Sequence, residues 1–192
     1  MKIYTKTGDG GETGLFDGTR VSKSDARVAT YGDVDEVSAW IGFARSRLTD
    51  QPDIVEILVE IQRDLFALGA RLADPRRKIA ERVTKAAIGS SAITRLEGWI
   101  DSFESTLPPL RRFILAGGSE AGSALHLART VCRRAERAIV SLQENHAALE
   151  PEVLVYVNRL SDLLFVLARV LNDKGQADLL WVPGKTQAGE TK

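Results

Sequence analysis

Apolar residues recur at intervals of three or four along five stretches of the chain, and each stretch predicts an amphipathic helix. From about Asp25 to Leu48 the stripe is Val28, Tyr31, Val34, Val37, Ile41 and Ala44. Gly32 interrupts it, which predicts a bend or the close approach of another backbone. Ile54, Ile57, Leu58, Ile61, Leu65, Leu68 and Leu72 mark a second helix over Asp53 to Leu72. Ile93, Leu96, Trp99, Ile100 and Phe103 mark a third over Ser91 to Leu107, which Pro108 and Pro109 stop. The fifth runs from Pro151, suited to a first helical turn, to Asn172 and carries Val153, Val157, Leu160, Leu164, Leu167 and Leu171.

The fourth helix is predicted to start at Ser119, a capping residue after the Gly117-Gly118 corner, with Glu120 at its positive end. Its apolar stripe is Ala128, Val131, Cys132, Ala135, Ala138, Ile139 and Leu142, with Leu125 at the edge, and it ends near Asn145. Beside that stripe Arg129, Arg133 and Arg137 repeat every four residues, and Glu136 falls among them. Arg129 and Glu136 lie nearest the apolar edge, where an unpaired charge is costly. The ridge reads either as a solvated basic face with intrahelical ion pairs or as a site for a carboxylate partner or bound anion. The acidic cluster Asp33, Asp35 and Glu36 offers partners, and an Asp35–Arg129 pair is expected. On the fifth helix Asn158, Asp162 and Phe165 share a face; Asn158 could read an adenine edge or fix a neighbouring helix.

Ahead of the first helix, residues 5 to 18 hold five glycines and three threonines among fourteen positions and show no period. This is a loop in which backbone N–H groups, threonine hydroxyls, Lys6 and the nearby Lys23 suit a phosphate cradle, although glycine-rich turns also occur without ligands. It is not a Walker A loop. Gly184-Lys185-Thr186 has the right ending, but Leu179 stands where the upstream glycine is required. Ala73 to Ser90 reads as a mobile connection, and Leu179 to Pro183 as an apolar tail able to dock, followed by a disordered polar end. With strand pattern only at Lys2 to Tyr4, the expected fold is an all-α five-helix bundle. It is one domain over 1–192, with an N-terminal loop at 1–24, the bundle at 25–172 and a tail at 173–192.

Composition narrows the chemistry. Lysine plus arginine equals aspartate plus glutamate at 26 each, so the arginine ridge is a local feature and bulk binding to nucleic acid or anionic lipid is not expected. One cysteine excludes an internal disulfide, and two histidines give no zinc spacing. Cys132, on the stripe, reads as packing. The N-terminus has no apolar leader, and the longest apolar run, Leu163 to Ala168, is too short to span a bilayer, so a cytoplasmic protein without membrane partners is expected.

Three stretches in order resemble one family: Tyr-Thr-Lys-Thr-Gly-Asp at 4–9 with Gly-Asp-Val-Asp-Glu at 32–36, Arg-x-x-x-Arg-Arg-Ala-Glu-Arg at 129–137, and Asn-Arg-Leu-Ser-Asp at 158–162. They are similar to the PduO-type ATP:cob(I)alamin adenosyltransferases. The resemblance implies a ferritin-like five-helix bundle assembling as a homotrimer, with ATP between neighbouring subunits. It places Thr5, Lys6, Thr7, Gly8, Thr13, Gly14 and Lys23 around the triphosphate. Arg133, Arg134, Glu136 and Arg137 follow on the adjoining helices, with Asn158 toward the nucleoside. It implies a pair between Arg129 and Asp35, and a hydrophobic wedge at Phe113 on the cobalamin side. Catalytic roles would then fall to Asp35, Phe113, Arg129 and Arg133.

The implied reaction is attack of cob(I)alamin on the ribose 5′ carbon of ATP, giving adenosylcobalamin and triphosphate. It needs no side-chain nucleophile, in keeping with the lack of a Ser-His-Asp or Cys-His constellation. Mg²⁺ would enter mainly through the ATP phosphates, with no dedicated protein cluster. A reductase and an adenosylcobalamin-dependent acceptor enzyme are implied partners. Gly10 departs from the lysine of many relatives and Ala116 from a common proline. A non-catalytic bundle sensing ATP or a corrinoid would share these ligand residues and is the alternative that activity separates.

Overall fold

A computed structural model describes residues 2–76, 88–145 and 149–182. Five helices are found among them: α1 Ala26–Arg45, α2 Pro52–Leu72, α3 Ser90–Glu104, α4 Glu120–Asn145 and α5 Pro151–Leu171. Their starts follow local chemistry. The Asp25 carboxylate accepts from the Arg27 N–H at 2.8 Å, and the Ser119 hydroxyl oxygen accepts from the Gly122 N–H at 3.0 Å, each satisfying a donor the first turn leaves open. Pro52 and Pro151 sit in the first turns of α2 and α5, where a missing N–H costs nothing. Two ends come earlier than the pattern predicts. After Arg45 and Glu104 the chain tightens into turns with i to i+3 bonds, such as Leu48 N to Arg45 O and Leu107 N to Glu104 O.

α4 lies at the centre, with α1 against one side and α5 against the other; α2 covers α1, and α3 covers α5. Small residues permit this double packing: Ala121, Gly122, Ala124, Ala128 and Ala135 are all buried. Leu125 is fully buried, deeper than its edge position in the pattern suggests. α2 is tied across the bundle by the Tyr156 hydroxyl donating to Asp64 at 2.8 Å, with Arg95 on the same carboxylate and Arg71 paired to Glu150. Burial and the Asp64 charge push the Tyr156 phenol well up, so it remains a donor. Cys132 is packed as expected: burial first, then Glu136, raises its thiol to about 12.

The glycine-rich N-terminus departs from the strand-free expectation. β1 Glu12–Gly14 pairs antiparallel with β2 Arg20–Ser22, in the register Thr13 opposite Val21. Three-residue strands are too short for alternation to show. Lys2 to Tyr4, which carries a strand pattern, is not a strand, and Ile3 is exposed. No backbone among the described residues closely approaches Gly32; a Cβ there would enter open space, and α1 runs through it unbroken from Ala26 to Arg45. The apolar tail does dock: Leu115 N donates to Leu179 O at 2.7 Å and Trp181 N to Phe113 O at 2.8 Å. Most of the connection read as mobile, at 77–87, lies outside the described residues. So do Gly184-Lys185-Thr186 and the polar end beyond 182. No helix among the described residues is long and apolar enough to cross a membrane.

Candidate active site

The arginine ridge of α4 divides by helical angle. Arg134 turns toward α1, where its Nε donates to Asp33 at 2.9 Å and its second arm reaches Glu36; these bonds raise its pKa, Asp33 most. Asp33 and Glu36 are three residues apart and therefore share a face of α1. Asp35 is displaced from Asp33 by about 200° and points elsewhere. It lines a cavity of about 490 Å³ on the α2 side, with Gly14, Leu15, Phe16, Gly32 and Phe66. The expected Asp35–Arg129 pair is thus not made within the chain. The acidic cluster does meet the ridge, but at Arg134.

Arg129 and Arg133 face the other way, into a cleft of about 610 Å³ between α3, α4 and α5 that Arg159, Asp162 and Phe165 also line. Arg133 is exposed, and its carbonyl accepts a 2.8 Å bond from Arg137, which therefore folds back along its own helix. The Arg129 guanidinium lies 5.9 Å from the Phe165 ring centroid, over its face. Burial, then Arg133, lowers its pKa without threatening its charge. Its Nε is buried and has no hydrogen-bond partner among the described residues. An orphaned buried donor costs about 1–3 kcal/mol, so a ligand or second chain that satisfied it would gain that much.

A second cavity of about 580 Å³ adjoins the first, lined by Leu110, Arg111, Arg112, Phe113, Ile114, Arg129 and Phe165. Phe113 is 82% exposed there, an unusual position for a phenyl ring. Arg129 and Phe165 belong to both cavities and form the partition between them. One side is polar and mixes Arg129, Arg133 and Arg159 with the carboxylates Glu97, Asp101, Glu104 and Asp162; the other is more apolar, carries Phe113 and has Arg111 and Arg112 but no carboxylate.

At the far end of the ridge Asn158 Nδ2 donates to Glu136 at 2.9 Å. Of the two readings open for Asn158, the structure thus realises the link to a neighbouring helix. The N-terminal residues gather at a separate corner. The Thr5 and Thr7 hydroxyls are 2.8 Å apart, Arg20 donates to the Thr7 carbonyl at 2.7 Å, and a Cβ on Gly8 would lie 3.3 Å from Lys23 Nζ. Lys6 has φ of 61°, Gly11 of 85°. Thr13 and Gly14 belong to β1, and Gly14 shares the Asp35 cavity. No described cavity holds both a loop residue and a ridge arginine.

Phe165 and His126 are the residues that pattern reading left without a role. Phe165 is visible as the third member of the Asn158–Asp162 face. His126 sits beside the α4 stripe, 3% exposed and 6.0 Å from the Phe165 ring, with both ring nitrogens unpaired among the described residues. Burial, then Arg129, lowers its pKa below 6.5, against a smaller opposing pull from Asp178. A depressed histidine pKa makes the unfolded chain bind more protons, so stability present above about pH 6.5 is lost as pH falls toward the folded value. The unfolding midpoint should drop between about pH 7 and pH 5, and His126→Phe should flatten that drop. Equal slopes in the two proteins would show that folding does not depress the imidazole pKa.

The profile of the cobalamin adenosyltransferase family matches residues 3–171. The chain belongs to that family. A corrinoid adenosyltransferase of Mycobacterium tuberculosis is 46% identical over 186 residues, covering 95% of this chain and 94% of the relative. Among solved members is a phenylalanine-to-histidine variant of the PduO-type ATP:corrinoid adenosyltransferase from Lactobacillus reuteri complexed with cobalamin and ATP. It superposes with a TM-score of 0.86 at 39% identity, covering 96% of this chain and 98% of that one. An arginine-to-lysine variant of that protein, complexed with ATP, gives 0.82 at 38% identity, with coverage of 94% and 100%.

Proposed function

We propose that this chain is an ATP:corrinoid adenosyltransferase in which the cobalt of cob(I)alamin takes the 5′-deoxyadenosyl group of ATP and triphosphate leaves. The observation that carries this reading is the Arg129–Phe165 partition, with a polar cleft that presents Arg129 and Arg133 on one side and the Phe113 pocket on the other. Such a pair of cavities lets two unlike substrates meet at one wall. The cobalt electron pair forms the bond to C5′ while the C5′–O bond breaks and its electrons pass to the triphosphate. No protein group gains or loses a proton. What the chain supplies is position and positive charge.

In this reading Arg133 and Arg137 face the phosphates, and Glu136 with Asn158 borders the nucleoside. Arg134 helps hold that surface by anchoring α4 to α1. Among the described residues no cluster of three or more His, Cys, Asp or Glu could hold a metal. In this reading Mg²⁺ enters with the nucleotide, bound mainly through the ATP phosphates.

The loop residues Thr5, Lys6, Thr7, Gly8, Thr13, Gly14 and Lys23, and Asp35 with them, lie away from the ridge in one chain. A homotrimer would bring one chain's loop to its neighbour's ridge, and Asp35 of one chain to the orphaned Arg129 of the next. The exposed rings of Phe16 and Phe66 beside Asp35 suit burial in such an interface. Asp35→Asn should then lower turnover about tenfold, and a double-mutant cycle with Arg129→Lys should show a coupling of about 1–3 kcal/mol. Zero coupling would place Asp35 outside the site.

A cytoplasmic location, a reductase delivering cob(I)alamin and an acceptor enzyme for the product complete the proposal. Adjoining cavities predict simultaneous binding. ATP titrated into corrinoid-saturated protein should bind as it does without corrinoid, within about threefold, and mutual exclusion would contradict the two-cavity site.

A further inference from the structure

The segment from Pro108 to Ser119, which carries Phe113, has little apolar burial of its own. Leu110, Phe113 and Leu115 are all exposed, as are Leu179 and Leu180 of the tail that pairs with it. Its position must come from polar bonds, and these converge on three buried residues. Arg169 donates from Nη2 to the Pro108 carbonyl at 2.8 Å, at one end of the segment. Asn172 holds the other end, accepting from the Ser119 N–H at 3.0 Å and donating to the Gly117 carbonyl at 2.8 Å. Asp178 joins the two, accepting from Arg169 Nε at 2.8 Å and from Asn172 Nδ2 at 3.2 Å. From Asp178 the chain runs directly into Leu179–Trp181, whose bonds to Phe113 and Leu115 grip the middle.

The fit around this cluster is close. The Arg169 and Asp178 side chains are 6% and 3% exposed, and Asn172 is 2% exposed. A Cβ on Gly118, where φ is 113°, would fall 2.2 Å from Asn172 Oδ1, and one on Gly122 2.4 Å from it. None of the three residues belongs to the apolar core cluster. α4 and α5 bury a continuous apolar set against each other below this end of the bundle.

We propose that Arg169, Asn172 and Asp178 are positioning residues for Phe113, acting on the corrinoid half of the site and not on the ATP half. The inference rests on the corrinoid assignment of the Phe113 pocket given above. Removing the Asp178 charge leaves Arg169 buried and unpaired, and the strap loses both its end anchor and its tail.

The test uses the full chain with Asp178→Asn, and with Trp181→Pro, which deletes the N–H bonded to Phe113 without touching the buried charges. Hydrogen exchange at the Leu115 amide should rise about tenfold or more in Asp178→Asn, with the helical amides of α4 and α5 unchanged. The KM for cobalamin should rise about tenfold, while that for ATP stays within about twofold. In a Phe113→Ala background Asp178→Asn should add little, because both changes act through one side chain.

Unchanged exchange at Leu115, or a rise shared by every helix, would overturn the proposal. So would equal losses for ATP and cobalamin, or full additivity with Phe113→Ala. If Phe113→Ala itself leaves cobalamin use intact, the corrinoid assignment of the pocket has failed, and the exchange result alone decides whether the strap is held as described. Should Asp178→Asn fold poorly, Trp181→Pro carries the same kinetic expectation and the same contradicting outcomes.

Discussion

Arg133→Ala should lower kcat/KM for ATP by about 100- to 1,000-fold and leave the thermal unfolding midpoint almost unchanged. The side chain is exposed in the cleft, and no helix–helix bond depends on it, so its removal costs the fold little. Triphosphate, by contrast, leaves with several negative charges developing as the C5′–O bond breaks, and a guanidinium fixed nearby stabilises that state more than the ground state. Arg133→Lys should restore only part of the loss, because an ammonium keeps the charge but not the planar two-armed geometry. Steady-state kinetics with ATP varied at saturating cob(I)alamin reads both variants. An Arg133→Ala protein with unaltered kcat/KM would remove this residue from the leaving-group site.

Phe113→Ala should divide the reaction differently. The ring is 82% exposed, so packing contributes little to keeping it where it is. Pressed on the lower corrin face, it would bury about 1.5–3 kcal/mol of apolar contact and exclude an axial ligand from cobalt. A four-coordinate Co(II) centre is easier to reduce. The variant should therefore lose about 10- to 100-fold in turnover started from cob(II)alamin and a reductant, and less when supplied with cob(I)alamin already reduced. ATP affinity should stay within about twofold. Equal losses in both assays and in ATP binding would assign Phe113 to general packing.

The helices were legible because each buries an apolar stripe, and a stripe at 3.6-residue spacing has few alternative folds. α2 is the clearest case: all seven of its predicted stripe residues, from Ile54 to Leu72, are buried. The β1–β2 hairpin was not legible, because three residues per strand give no period. Gly32 misled for a related reason. A glycine inside a helix can signal the close approach of another backbone, but this one lies on an exposed face beside a cavity with nothing among the described residues packed on it.

The ridge itself was visible as charge spacing, yet spacing alone could not say which arginine meets which carboxylate. That choice depends on the rotation of α1 against α4, which turns Asp33 and Glu36 toward Arg134 and Asp35 away from it. The Arg129–Phe165 partition required α4 and α5 to be placed side by side. The strap network needed still longer reach, since Pro108, Ser119, Arg169 and Asp178 share no local pattern.

The most direct measurement of the proposed transfer is an anaerobic incubation of the purified chain with ATP, Mg²⁺ and chemically reduced cobalamin, with adenosylcobalamin and triphosphate both quantified. The expected result is one triphosphate for each adenosylcobalamin, with neither formed when ATP or the protein is left out. Binding of both substrates without product, or release of phosphate and ADP without a cobalt–carbon bond, would contradict it.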